Sequence, residues 1–359
     1  MSKRIPSTLI VMGIFALFAA AASQTKPLKV LLLYDMEGVT GATSVKHTSF
    51  SSKTEYEAGR ISLTADVNAA IAGLKAGGAT EIIVVDGHGS GNTTGPDVIV
   101  DQLLAPAKMI SRERPFDIYM DSYDQSIDAI VAVGMHAGAG NEAGFISHTY
   151  TIEDTQYRVN GIPFNESMIL AMGAARYGLP LIMVCGDDEL EKEMRRFLPW
   201  AKYAVVKRAV GRAKAEPYPR EEVSRRIENA AREAILALAA MRTAAITSAP
   251  FRFALTFQDD QQAQAVARLQ GAEMAPDGVA VQIKSHDFEE GYRASLRMIS
   301  TAGLVGRVQS LQRAIDAQPN AEALRQAARD LVIDRWFNPP PGGAVPSGAA
   351  APLRYWGAR

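Results

Sequence analysis

An α/β fold, with a mostly parallel sheet flanked by helices and a second α/β lobe after it, is predicted by three features of the 359-residue sequence. Short, nearly continuous apolar runs recur at Leu28–Tyr34, Glu81–Val85 and Asp128–Val133. Runs of that length fit strands buried on both faces, as parallel strands are. Between the first two, Glu55–Leu74 carries apolar residues at helical spacing until Gly77-Gly78 stops it, which makes a β-α-β unit. All three runs also end alike, in a carboxylate or imidazole set among glycines. A ligand site is therefore expected at the carboxyl ends of the strands, where open α/β sheets bind.

The elements follow in order. Phe145–Thr151 and Gln156–Val159 read as a hairpin or paired strands, followed by the Asn160-Gly161 turn signal. Asn165 is placed to cap a helix running to Tyr177, which Gly178 and Pro180 end. Leu181–Cys185 is a further buried strand, and Asp187-Asp188 opens a charged helix toward Phe197. From Tyr203 the chain reads strand, long helix (Pro219–Met241), strand (Phe251–Phe257), helix, strand (Val279–Ile283) and helix. Val305–Trp336 holds two helical patterns, and Asn338–Pro352 is rich in Pro, Gly and Ala. Such a segment buries too little apolar surface to offset its ordering entropy, so a mobile tail is expected. The expected organisation is a leader over 1–23, a catalytic α/β domain over 28–200, a second α/β lobe over 201–303, a helical extension over 304–337 and the tail over 338–359.

Composition narrows the function. The 38 basic and 39 acidic residues leave a net charge of -1, without the basic excess that bulk phosphate binding needs, so nucleic acid is not an expected partner. A 47% hydrophobic content suffices for a sizeable core, and the one cysteine, Cys185, excludes an intramolecular disulfide. That cysteine sits in an apolar run, as an inert buried thiol does. Lys3 and Arg4, the apolar stretch Leu9–Ala22 and the small residues Ala21–Ser23 follow the order of a secretory signal peptide. The stretch is shorter than the roughly 20 residues of a spanning helix. A periplasmic or secreted protein with no stable membrane span after cleavage is expected.

The strand tips carry the chemistry. They read Asp35-Met36-Glu37-Gly38, Asp86-Gly87-His88-Gly89 and Gly134-Met135-His136-Ala137-Gly138. Asp35 and Glu37, two apart, share a face in extended backbone. Two carboxylates and two imidazoles converging on one point suit zinc or a similar divalent ion. Taken singly, each could instead cap its strand or turn. Asp86 could orient His88 or cap the strand; Glu57 and Arg60 form an i,i+3 pair; His47 and His286 read as surface or structural residues.

The tips and several further segments resemble the M55 metallopeptidases, the D-aminopeptidase family. They are Tyr34–Gly38, Tyr56–Arg60, Asp86–His88, Gly134–Ala137, Ser147–Thr149, Asn160–Glu166 and Met183–Asp188, in that order. The resemblance spans roughly Leu28–Gly303. It implies a dinuclear zinc site carried by Asp35, Glu37, His88, His136 and Glu166, with His148 as catalytic nucleophile, base or proton shuttle. Read locally, Glu166 would be only a favourable charge at a helix start, and His148 a hydrogen-bonding strand residue. Five ligands exceed the three of a usual catalytic zinc; they suit two ions about 3.5–4 Å apart that activate a shared water and polarise the scissile carbonyl. An imidazole suits the accompanying proton transfer.

The resemblance further implies cleavage of short peptides with N-terminal D-residues, such as D-Ala-D-Ala, and a homo-oligomer, a decameric ring. The alternatives are a dinuclear hydrolase of another amide or ester, and a non-catalytic periplasmic peptide- or metal-binding protein.

Overall fold

The computed structural model describes residues 27–338 and 354–357. The leader expected over 1–23 lies outside the described residues.

Two sheets form the framework. The first takes β1 (Lys29–Tyr34), β2 (Glu81–Asp86), β3 (Ala107–Met109), β4 (Ala129–Met135), β7 (Leu181–Asp187), β8 (Lys202–Ala209) and β9 (Ala215–Pro217), in the order β3-β2-β1-β4-β7-β8-β9. Every pairing is parallel except β8–β9. The second, antiparallel sheet takes β5 (Asp154–Val159), β6 (Ile162–Pro163), β10 (Phe251–Phe257), β11 (Ala272–Met274) and β12 (Val281–Ser285), in the order β11-β12-β10-β5-β6.

Alternation along β1 divides the core. Val30, Leu32 and Tyr34 face α1 (Lys53–Gly77) and α4 (Arg220–Leu236), where Val67, Ile71, Leu74, Val223 and Ile227 meet them. Leu31 and Leu33 face the opposite way, into a core shared with α2 (Glu166–Ala175), the second sheet and α6 (Phe288–Asp316). Both faces of the sheet are thus covered, which is why the strands read as unbroken apolar runs. The chain builds outward from β1 to β2 and β3, then restarts at β4 and runs to β9. The switch of direction at β1/β4 opens the crevice in which such sheets bind ligands.

The remaining helices are α3 (Asp188–Phe197), α5 (Asp260–Val266) and α7 (Ala321–Phe337). Asn165 and Asp187 cap α2 and α3, each accepting the backbone N–H three residues on, from Met168 at 2.9 Å and Leu190 at 2.8 Å.

Three sequence expectations differ from the fold. Phe145–Thr151 is a loop, because positive φ at Ile146 (48°) and Tyr150 (67°) bends the backbone out of any strand path. The turn expected at Asn160-Gly161 is present, with φ of 51° and 81°, and joins β5 to β6. A boundary at residue 200 does not separate the sheets: β8 pairs with β7, while β5 and β6 belong with β10. Long-range pairing decides membership there. Residue 304 is likewise no break, since α6 runs continuously from Phe288 and stays buried at Ala302, Gly303 and Gly306.

Of the expected tail, Arg354–Gly357 is docked. Tyr355 exchanges backbone hydrogen bonds with Arg112, 2.8 Å each way, and the Trp356 carbonyl accepts from Asp86 N–H at 3.2 Å. Gly357 closes against the Asp86 carbonyl, where a Cβ would lie 2.1 Å from the oxygen. Backbone pairing at the carboxyl end of β2 offsets the ordering entropy that composition alone suggested would prevail.

Candidate metal centre

The crevice is assembled by glycines. Gly134 sits at φ +77°, and a Cβ there would meet the Asp35 carbonyl at 2.2 Å; a Cβ on Gly38 would meet the Met135 carbonyl at 1.9 Å. The tips of β1 and β4 therefore touch backbone to backbone, with Gly38 N–H donating to the Gly134 carbonyl at 2.7 Å. This contact brings Asp35 and Glu37 onto His136, while β2 delivers His88 from the other side of β1.

The expected ligands converge. His88 Nδ1 lies 2.8 Å from Asp35 Oδ1 and 3.2 Å from Glu37 Oε2. His136 Nε2 lies 3.4 Å from Asp35 Oδ2 and 3.7 Å from Glu166 Oε2. His148 Nε2 is 3.9 Å from Glu166 Oε1, and its ring stacks on His136 at 4.0 Å with 9° between planes. The sets Asp35–Glu37–His136 and His136–His148–Glu166 each gather their donor atoms within 4.8 Å, so either could hold an ion.

Each imidazole is oriented by a carbonyl on its far side. His88 Nε2–H donates to the Thr48 carbonyl at 2.8 Å, His136 Nδ1–H to Ala137 at 3.0 Å and His148 Nδ1–H to Ile146 at 2.8 Å. A carbonyl only accepts, so each of these nitrogens carries a proton and the other nitrogen faces the crevice, where it can offer a lone pair to an ion once deprotonated. That is the arrangement of metal-ligating histidines. Glu37 Oε2 and His136 Nε2 are buried there without a hydrogen-bond partner. Buried polar atoms are rarely left so. A cation between them would satisfy both, and oxygen and imidazole donors are those zinc accepts.

The charges agree. Burial opposes ionisation of Asp35, but the neighbouring His136 and His88 imidazoles outweigh it and hold the carboxyl well below the usual range. Burial likewise opposes protonation of His88 and His136; Glu37 and Asp35 outweigh it at His88, Glu166 and Asp35 at His136, and both rise well above an ordinary imidazole. Glu166 falls below the usual carboxyl despite burial, because of His136.

Asp86 does not touch the His88 ring. Its carboxylate accepts backbone N–H groups, from His88 at 3.0 Å and Asp97 at 3.1 Å, and fixes the loop path. Arg60 reaches Glu57 at 3.2 Å and the Asp97 and Val98 carbonyls at 2.9 and 3.2 Å, so this pair braces the same loop. His47 bonds locally to Ser44. Cys185 is buried, as expected, and burial raises its thiol.

Two supporting residues carry no signal in the sequence. Tyr119 donates its hydroxyl to Glu166 Oε2, while the Tyr150 N–H donates to Oε1 at 2.5 Å. Lys207, buried on β8, donates Nζ to the carbonyls of Glu37, Val39 (3.0 Å) and Ala42 (2.7 Å). Burial pulls this ammonium down to about 7, against the carboxylates of Asp187, Glu37 and Asp66. Tyr119 stands in irregular chain and Lys207 170 residues from Glu37, so only the fold reveals their partners.

Comparison with known proteins agrees with this geometry. Residues 28–296 match the family model for peptidase family M55, described as D-aminopeptidase. A curated D-aminopeptidase of Bacillus subtilis (strain 168) is 27% identical over 276 residues, covering 77% of this chain and 98% of that protein. The solved structure of the "Zn-dependent D-aminopeptidase DppA from Bacillus subtilis, a self-compartmentalizing protease" superposes with a TM-score of 0.70 at 27% identity, over 77% of this chain and 98% of that one. The chain belongs to the M55 D-aminopeptidase family of metallopeptidases.

Proposed function

We propose that this chain is an exported aminopeptidase that releases N-terminal D-residues, D-alanine above all, from short peptides. In this reading Asp35, Glu37, His88, His136 and Glu166 hold two zinc ions per chain, and His148 moves the proton. Glu37 Oε2 and His136 Nε2, buried and unpartnered in the crevice, carry the metal assignment. When bound, such an ion pair lowers the pKa of a water and polarises the scissile carbonyl.

The chain's own groups supply the rest. Asp35, Glu37 and Glu166 line a cavity of about 470 Å³ that admits the amino end of a short peptide beside the ligand cluster. Tyr119 and the Tyr150 N–H fix both oxygens of Glu166. His148, its Nδ1–H anchored on Ile146, turns Nε2 to the same cavity. There it accepts the proton of the attacking water and returns it to the leaving amine. The positive φ at Ile146 and Tyr150, on either side of His148, is backbone strain of the kind that collects at functional loops.

The basic start and apolar stretch Leu9–Ala22 support export. Among the described residues, no helix is long and apolar enough to cross a membrane. The similar structure is described as self-compartmentalizing, which supports a homo-oligomer here, a decamer by resemblance.

The test is hydrolysis of paired peptides by zinc-loaded protein beginning at Gln24. D-Ala-D-Ala and D-Ala-Gly-Gly should be cleaved well ahead of L-Ala-L-Ala and L-Ala-Gly-Gly. Preference for the L-series, or cleavage of esters alone, would overturn the substrate assignment.

A further inference from the structure

The cavity that holds the metal ligands extends past the strand tips to α6. It is lined by Asp35, Glu37 and Glu166 and, from α6, by Arg307. A second cavity of about 510 Å³ shares Tyr150, Thr151 and Arg307 with it and continues along α6 over Ile299 and Leu304. Arg307 thus stands where the two cavities meet. Histidines aside, it is the one cationic side chain lining the first cavity, among the described residues.

Its guanidinium is uncommitted. Many arginines of this chain hold a carboxylate or a carbonyl, as Arg60, Arg220 and Arg293 do. Among the described residues, no hydrogen bond or ion pair engages the side chain of Arg307. Glu153, whose carboxylate packs against Gly306 beside it, accepts from Gln262 at 2.7 Å instead. An exposed arginine facing a cavity, with five donors in a planar fork and no acceptor, suits a carboxylate bound in bidentate fashion.

We propose that Arg307 is a specificity residue that receives the free C-terminal carboxylate of a short peptide whose amino end faces Asp35, Glu37 and Glu166. This inference rests on the aminopeptidase reading and adds a contact for the peptide's carboxyl end. With the ligand cluster holding the reacting end of the peptide, a cation in the same cavity selects a peptide that carries a free C-terminal carboxylate. Beyond Arg307 the second cavity is lined by Ile299 and Leu304 together with Thr151 and Ser300. Residue 307 lies outside the 28–296 family match, so the device belongs to this chain's long α6.

The experiment compares zinc-loaded wild type, Arg307→Gln and Arg307→Lys on D-Ala-D-Ala and on its C-terminal amide, by calorimetric binding and by turnover. Wild type should favour the free acid. Arg307→Gln should weaken the free acid by about ten- to hundredfold, mainly in Kd and KM, the scale of a charged hydrogen bond. It should leave the amide unchanged, and Arg307→Lys should recover part of the loss. Equal binding of acid and amide by wild type would overturn the proposal, as would an equal loss of both in Arg307→Gln. If neither peptide is cleaved, the substrate reading falls, and the acid–amide difference in binding still decides the carboxylate contact.

Discussion

Around the crevice each histidine has one nitrogen spent on a backbone carbonyl and one turned inward, so a change of side chain there has a calculable consequence. His148→Asn removes the inward nitrogen and the stacking on His136, while all five assigned ligands, Asp35, Glu37, His88, His136 and Glu166, remain in the chain. Zinc content should stay within error of wild type while kcat falls by about 10²–10⁴, the range of a lost general acid–base. An unchanged kcat would remove His148 from the reaction. Proton linkage makes a second residue-scale prediction. In the metal-free chain the carboxylates hold His88 and His136 protonated to higher pH than usual. Those raised values stabilise the metal-free fold below the ordinary histidine pKa, and the contribution is lost as pH rises through the raised values. Zinc takes the same nitrogens deprotonated, so its binding should release protons and tighten as pH rises across neutrality. Titration calorimetry in buffers of different ionisation enthalpy reads the release; no release would contradict the assigned ligands.

At the scale of elements, the site depends on how loops are tied to strands. The Lys207 ammonium on β8 satisfies three carbonyls of the loop that follows Asp35 and Glu37. Lys207→Met keeps the length of the side chain and leaves those buried acceptors without a donor. Stability in urea should fall by about 3 kcal/mol or more, since each unsatisfied buried group costs about 1–3 kcal/mol, and zinc affinity should fall with it. A loss under 1 kcal/mol would mean the loop holds itself. Strand tips and caps were legible because they rest on local chemistry: glycines where backbones touch, Asn165 and Asp187 where helices begin. The loop carrying His148 was misread as a strand because Phe145 and Ile146 are strand formers by type, whereas φ at Ile146 is set by its tertiary setting. Tyr119, Lys207 and Arg307 were not legible at all. Tyr119 and Lys207 act on residues far away in sequence, Arg307 faces a cavity, and a single tyrosine, lysine or arginine has no local pattern.

Across the whole molecule, the parallel sheet and its ligand-bearing edge were readable from apolar runs and their endings, and the resemblance supplied Glu166 and His148. Sheet membership was not readable. β5 pairs with β10, some 90 residues on, and carries β6 with it into the second sheet, and nothing in their composition announces it. The docked segment Arg354–Gly357 was missed for a related reason. Composition reports what a segment can bury by itself, and here the hydrogen bonds come from Arg112 and Asp86. The outcome is one crevice at the β1/β4 switch point, with acidic and imidazole groups from β1, β2, β4 and α2 and a cation from α6 lining the same cavity. Metal content per chain, by elemental analysis of protein beginning at Gln24 and purified without chelator, bears on all of this at once. The five-ligand assignment predicts about two zinc ions per chain, the number such a bridged site holds. A value near zero that incubation with zinc does not raise would mean that Glu37 Oε2 and His136 Nε2 stay unpartnered for another reason, and the hydrolytic account would fall with the metal.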